Sequence, residues 1–168
     1  FVYVGAQEGI AAFVIRFMQY LQIEGVNEKM AANYLVLHWG AFMVGRFVGA
    51  GLMKRFNPAH MLVFFASICT LLVMGAMFTS GMVAVWCVVA IGFFNSIQFP
   101  TIFTLALHNL GIQRKDGATF LVMAIVGAAL IPPAMGLVST LQNIQVAFIV
   151  PLICYVYVMY YGWKGCKA

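Results

Sequence analysis

Long apolar runs separated by short polar breaks dominate the chain. At about 1.5 Å per residue, roughly 20 mostly apolar residues cross a bilayer as a helix. Breaking the sequence at its polar and turn residues leaves six such runs, at about 1–23, 31–53, 61–78, 82–110, 118–141 and 146–163. The breaks read Glu24-Gly25-Val26-Asn27-Glu28-Lys29, then Lys54-Arg55-Phe56-Asn57-Pro58, then Thr79-Ser80-Gly81. Gly111-Ile112-Gln113-Arg114-Lys115-Asp116-Gly117 and Gln142-Asn143-Ile144-Gln145 follow. Every break is short, so neighbouring helices must run antiparallel and pack as one bundle. The runs are continuous instead of alternating, which argues against a β-barrel. The pattern predicts an all-α membrane protein, with one six-transmembrane-helix bundle over residues 1–168.

Composition supports the bilayer as the partner. The 168 residues are 64% hydrophobic and only 8% charged, with a mean hydropathy of +1.00. A soluble domain carries about 25% charged residues. Four acids and nine bases cannot clothe a soluble globule of this size. A soluble enzyme, a disordered segment and a secreted disulfide scaffold are excluded. The net charge of +5 does not point to nucleic acid, because the bases come singly or in pairs at run ends and form no basic stripe.

Those bases instead set the expected orientation. The second and fourth breaks and the C-terminal tail hold Lys54, Arg55, Arg114, Lys115, Lys164 and Lys167, against Lys29 alone in the other breaks. By the positive-inside rule both basic loops and both chain ends are expected in the cytoplasm. The chain begins at Phe1 within an apolar run, without a charged leader, and reads as part of something longer. Cys69, Cys87, Cys154 and Cys166 show no metal-ligand spacing. Three of them lie in apolar runs, where cysteine behaves as a small hydrophobe. No metal site, disulfide or cofactor is expected.

Polar residues inside the runs carry the candidate chemistry, since such groups usually face a bundle interior or a wet cavity. In the first run Glu8, Gln19 and Gln22 fall within about 60° of one another on a helix. Glu8 reads either as a contact in a cavity or as a structural carboxylate paired with Arg16. In the fourth run Asn95, Gln98, Thr101, Thr104 and His108 form a drifting stripe around Pro100, where a kink is expected. Amides and hydroxyls donate and accept at once, which suits sugar hydroxyls. The alternative is hydrogen bonding between helices. Gly45 and Gly49 form a GxxxG that permits close helix approach, and Pro132-Pro133 with Gly136 predicts a second kink. His38 and Trp39 lie mid-run, and His38 reads as a structural donor. An intramembrane enzyme is disfavoured, because Glu8 is the one acid well inside a run and catalysis needs clustered groups.

Several segments resemble one family: F-V-Y-V-G-A-Q (1–7), A-A-N-Y-L (31–35), G-R-F-V-G-A-G-L-M-K-R-F-N-P (45–58), F-N-S-I-Q-F-P-T-I-F-T-L-A (94–106), N-L-G (109–111) and P-P-A-M-G (132–136). In this order they are similar to the C-terminal half of the fucose permease group of the major facilitator superfamily, the fucose and glucose/galactose:proton symporters. The resemblance implies one half of a twelve-helix fold, with a sugar held between two six-helix halves and exposed alternately to each side. It implies proton coupling, a missing N-terminal six-helix half, and an inner-membrane location. The candidate sugar contacts are Gln7, Glu8, Asn95, Gln98, Phe99 and Thr101, with Glu8 read from its place in the first run and departing from the fucose permease pattern. Gly45, Arg46, Lys54 and Arg55 match a degenerate second copy of the superfamily's gating loop. The fucose permease pattern has Tyr where this chain has Phe99, and glucose/galactose members have Met at Gln98, so the segment mixes the subgroups. The family's proton-coupling carboxylates lie in the other half, so no proton-relay role transfers. The competing readings are a self-standing six-helix structural or channel-like module, and a glucose/galactose transporter of the same family.

Overall fold

The computed structural model describes residues 1–21, 28–107 and 114–165. It is all-helical over these residues. The elements are α1 (Val2–Tyr20), α2 (Glu28–Leu52), α3 (Pro58–Phe78), α4 (Gly81–Asn95), α5 (Gln98–Leu107), α6 (Arg114–Met123), α7 (Gly127–Leu141), α8 (Ile144–Ala147) and α9 (Ile149–Tyr160). A 3₁₀ turn at Ala124–Val126 joins α6 to α7, and a π turn at Tyr161–Gly165 extends α9.

Local chemistry explains several ends. Pro58 opens α3 at a position that needs no N–H, and the Asn57 side chain accepts from the Ala59 amide at 2.9 Å. Asn143 caps α8 through the Val146 amide at 2.8 Å. Between α3 and α4 the chain reverses at Gly81, whose φ of 67° lies in the left-handed region open to glycine.

The six expected runs meet a finer picture. Five helical stretches among the described residues are long and apolar enough to cross a membrane: Lys29–Leu52, Pro58–Phe78, Gly81–Leu107, Lys115–Leu141 and Ile144–Lys164. By that measure α1 is not a sixth, because its 19 residues carry Gln7, Glu8, Arg16 and Gln19. Its position accounts for the difference. α1 packs against α7, α2 and α9, and Ile10, Val14 and Phe17 are fully buried with Cys69 and Val73 of α3, Val88 and Ile91 of α4, and Tyr155 of α9. A helix covered by protein on most sides does not need a uniformly apolar surface. Its remaining strip, with Glu8 half-buried and Ala12, Arg16 and Gln19 exposed, is open.

The glycines of α2 do what their spacing predicts. A Cβ on Gly45 would run into the Phe93 carbonyl and Ser96 Oγ, and one on Gly49 into Ile97. The two backbones therefore cross closely. Gly92 on α4 faces the His38 backbone in the same way. The expected kink at Pro132-Pro133 takes another form. Both prolines sit inside α7, and the departure from α geometry falls upstream, in the 3₁₀ turn.

A candidate site at the broken fourth helix

The fourth run is interrupted. α4 ends at Asn95 and α5 begins at Gln98, so the break lies a turn before the kink expected at Pro100. Proline chemistry explains the offset. Pro100 has no N–H, so the Ser96 carbonyl four residues earlier loses its helical donor. Three successive carbonyls here take side-chain donors instead. Gln98 Nε2 donates to the Phe94 carbonyl at 3.2 Å. The Tyr3 hydroxyl, from α1, is hydrogen-bonded to the Asn95 carbonyl. Arg46, from α2, directs Nε at the Ser96 carbonyl at 3.5 Å, its guanidinium lying over the Phe42 ring at 5.1 Å.

Behind the break lies a buried polar cluster. Asn95, Ser96, Gln98 and Thr101 are all 0% exposed. Asn95 Oδ1 accepts from the Tyr155 hydroxyl of α9 at 2.8 Å, and Cys69 Sγ of α3 lies 3.7 Å away. Gln98 Nε2 also reaches Cys69 Sγ at 3.2 Å. Thr101 bonds back to the Ile97 carbonyl at 2.6 Å. Two groups find no protein partner: the donor Asn95 Nδ2 and the acceptor Gln98 Oε1. An unmatched buried polar group costs about 1–3 kcal/mol, and this cluster leaves one donor and one acceptor unmatched.

In front of the break is a cleft of about 610 Å³, lined by Arg46, Ala50, Met53, Ile97, Phe99, Pro100, Phe103 and Thr104. Of the predicted sugar contacts, Phe99 is on its wall. Asn95, Gln98 and Thr101 are not, because they turn into the bundle toward α3 and α9 and along their own helix. Gln7 and Glu8 are half-buried on α1. Gln7 Oε1 accepts from Tyr3 at 2.8 Å, and Gln7 Nε2 lies 3.5 Å from Glu8 Oε1. Arg16 is exposed, and the contact Glu8 makes is with Gln7 and not Arg16.

The predicted gating segment divides. Gly45 and Arg46 lie inside α2, where Arg46 joins the cleft, whereas Lys54 and Arg55 are exposed in the turn after it. His38 is buried with Nδ1 2.9 Å from the Val88 carbonyl, and its Nε2 has no partner. Thr104 is exposed on the cleft wall and bonds the Pro100 carbonyl at 2.8 Å. Gln22, His108 and Cys166 lie outside the described residues. Among the described residues no group of three His, Cys, Asp or Glu could hold a metal ion.

Sequence reasoning missed Tyr3, Tyr155 and Cys69. Tyr3 lies in a segment quoted only for its resemblance, and Cys69 sits in an apolar run that reads as packing. No spacing rule separates an aromatic against lipid from one whose hydroxyl meets a buried amide.

Comparisons with known proteins agree with this architecture. The chain is 41% identical over 168 residues to a glucose/galactose transporter of Brucella abortus, covering all of this chain and 41% of that protein. It is 40% identical to a putative glucose/galactose transporter of Helicobacter pylori, covering 99% of this chain and 42% of that one. An L-fucose-proton symporter of Escherichia coli is 38% identical over 156 residues, 92% of this chain and 35% of its own length. The crystal structure of FucP, a major facilitator superfamily transporter in the outward conformation, superposes with a TM-score of 0.93 at 36% identity, covering 99% of this chain and 40% of that one. No family model matches the chain. The relatives are transporters rather than enzymes, and the chain spans about two fifths of their length. By sequence and by fold this multi-pass membrane chain is similar to about two fifths of the length of sugar transporters of the major facilitator superfamily, glucose/galactose transporters and L-fucose-proton symporters among them.

Proposed function

We propose that the chain is the C-terminal half of a twelve-helix transporter that moves a sugar, an L-fucose-like hexose, with protons across the cytoplasmic (inner) membrane by alternating access. In this reading α1 is the first of six spans, the seventh helix of the twelve, and both chain ends are cytoplasmic. Its polar strip and the cleft beside the broken helix form one wall of the sugar path, and an N-terminal six-helix half forms the other. Phe99 offers the sugar an apolar ring face. Arg46 closes the cleft beside it, with Lys54 and Arg55 at the cytoplasmic end of α2. Asn95, Gln98 and Thr101 back the break, and Gln7 and Glu8 approach it from α1.

One observation carries this reading. A helix breaks beside an open cleft walled by Arg46, Phe99, Pro100 and Thr104, and the buried amides of Asn95 and Gln98 behind the break keep an unmatched donor and an unmatched acceptor. A sugar hydroxyl is donor and acceptor at once, and transporters build their sites at discontinuous helices. The test is uptake by the whole transporter in liposomes under an inward proton gradient, with L-fucose, glucose and galactose as competing sugars. Accumulation that collapses with the gradient is expected, and Phe99→Ala should raise the half-saturating sugar concentration. Gradient-independent leak would favour the channel-like alternative. Preference for glucose or galactose would favour the second sugar assignment, whose support is the 41% identity over the whole chain to the Brucella abortus protein.

A further inference from the structure

We propose that Gln7 is a two-position switch that carries the protonation state of Glu8 to the helix break through the hydroxyl of Tyr3. The inference depends on the transport reading for its purpose but not for its chemistry. Its basis is a count of hydrogens. The Tyr3 hydroxyl carries one, yet it faces two acceptors, Gln7 Oε1 and the Asn95 carbonyl. Gln7 in turn directs Nε2 at Glu8 Oε1. One acceptor in this chain of four groups is therefore short of a hydrogen.

Which acceptor goes short depends on Glu8. An ionised carboxylate only accepts, so it holds the Gln7 amide with Nε2 toward it and Oε1 toward Tyr3. The Tyr3 hydrogen is then contested by Gln7 Oε1, and its hold on the Asn95 carbonyl at the break is weakened. When Glu8 takes one proton from water, its carboxyl becomes a donor. The Gln7 amide turns end for end about its last torsion, which is soft. Oε1 now accepts from Glu8, and Nε2 donates to the Tyr3 oxygen. The Tyr3 hydrogen goes to the Asn95 carbonyl alone, and the break is capped. A single proton moves, from the aqueous phase to Glu8, and every other change is a rotation.

The surroundings leave Glu8 as the carboxylic acid in this hydrogen-bonded series. Among the elements packed against α1, α7, α8 and the 3₁₀ turn have no titratable side chain. α4 offers Cys87, and α9 offers Cys154, Tyr155, Tyr157 and Tyr160. α2 carries Glu28 and Lys29 at its start, then Tyr34, His38 and Arg46. Arg46 is a fixed cation and meets the same break at the Ser96 carbonyl. Arg16 and Tyr20 on α1 itself are exposed. Tyr3 and Gln7 thus act as positioning residues between the Glu8 carboxyl and the broken backbone.

Amide hydrogen exchange at Ile97, Gln98 and Phe99 in the whole, sugar-free transporter in nanodiscs tests this, with rates expressed relative to unstructured peptide at each pH. Protection in the wild type should rise roughly fivefold as pH falls, the worth of one net hydrogen bond. Glu8→Gln, whose amide donates as the protonated acid does, should hold protection high at every pH. Gln7→Leu, which leaves Tyr3 to Asn95, should do the same. Tyr3→Phe should be low and flat, and if it fails to fold the other two variants still decide. A pH step that survives in Gln7→Leu, or a flat wild type, would overturn the switch. Sugar uptake on the same preparations separates the two claims. A pH step without uptake sinks transport and leaves the switch, whereas uptake with flat protection sinks the switch alone.

Discussion

The fourth and fifth apolar stretches, Gly81–Leu107 and Lys115–Leu141, are each 27 residues long, and each contains proline. Their most apolar windows differ in burial, 56% in the fourth against 11% in the fifth. The buried one is broken and polar, with its carbonyls met by Tyr3, Arg46 and Gln98. The exposed one runs through Pro132 and Pro133 as a helix and presents Leu130, Leu137 and Leu141 outward. Proline alone therefore does not dictate a break. Irregular backbone is tolerated at membrane depth where protein or a wet cavity can satisfy it, and Tyr3 of α1, Arg46 of α2, Cys69 of α3 and Tyr155 of α9 bring polar groups to the fourth run.

Covering the exposed run should have the largest effect. If α6–α7 is a surface for a second half, the 168-residue chain alone in liposomes should show no gradient-driven sugar accumulation. Adding the other half as a separate chain should restore part of it. Robust accumulation by the chain alone, shown to be monomeric, would remove the need for a partner.

Glycines give the next contrast. Gly92→Ala drives a Cβ into the His38 backbone and should cost about 1–3 kcal/mol. Gly136→Ala on α7 has open space around it and should gain about 0.5–1 kcal/mol. Melting temperatures in detergent that move together would erase the distinction. At the cluster, Asn95→Ala strips the Tyr155 hydroxyl of its acceptor, a loss of about 1–3 kcal/mol. Thr140→Ala, whose hydroxyl bonds only its own helix, should stay within about 0.5 kcal/mol. The smallest effect is on binding. Gln98→Ala should weaken sugar affinity by about 0.5–1.5 kcal/mol, read by calorimetry, and unchanged affinity would leave Gln98 a purely structural amide.

Run length makes the all-helical membrane fold legible, because the bilayer fixes how many apolar residues a crossing helix needs. α1 escapes that rule because its environment is protein, which a one-dimensional hydropathy pattern does not record. The stripe at Asn95, Gln98, Thr101 and Thr104 is legible from spacing alone. Its partners are not, since Cys69 and Tyr155 reach it from α3 and α9. The break could be placed by subtracting four from Pro100, where the orphaned carbonyl lies. Attention to the ring itself puts the bend a turn too late.

The close crossing of α2 and α4 has a mechanical consequence. Gly45 and Gly92 bring the two helices into close backbone contact on the near side of the break, so any tilt there would move them together. Beyond Ser96, α5 is a short lever of ten residues. A lever of about 15 Å, tilted by about 10° at its fulcrum, sweeps its tip through about 2.6 Å. That stroke approaches the width of a water molecule. Tyr3, Arg46 and Gln98 bridge the fulcrum and Ile97 packs against Gly49 beside it, so the lean of the lever is set by a few named contacts.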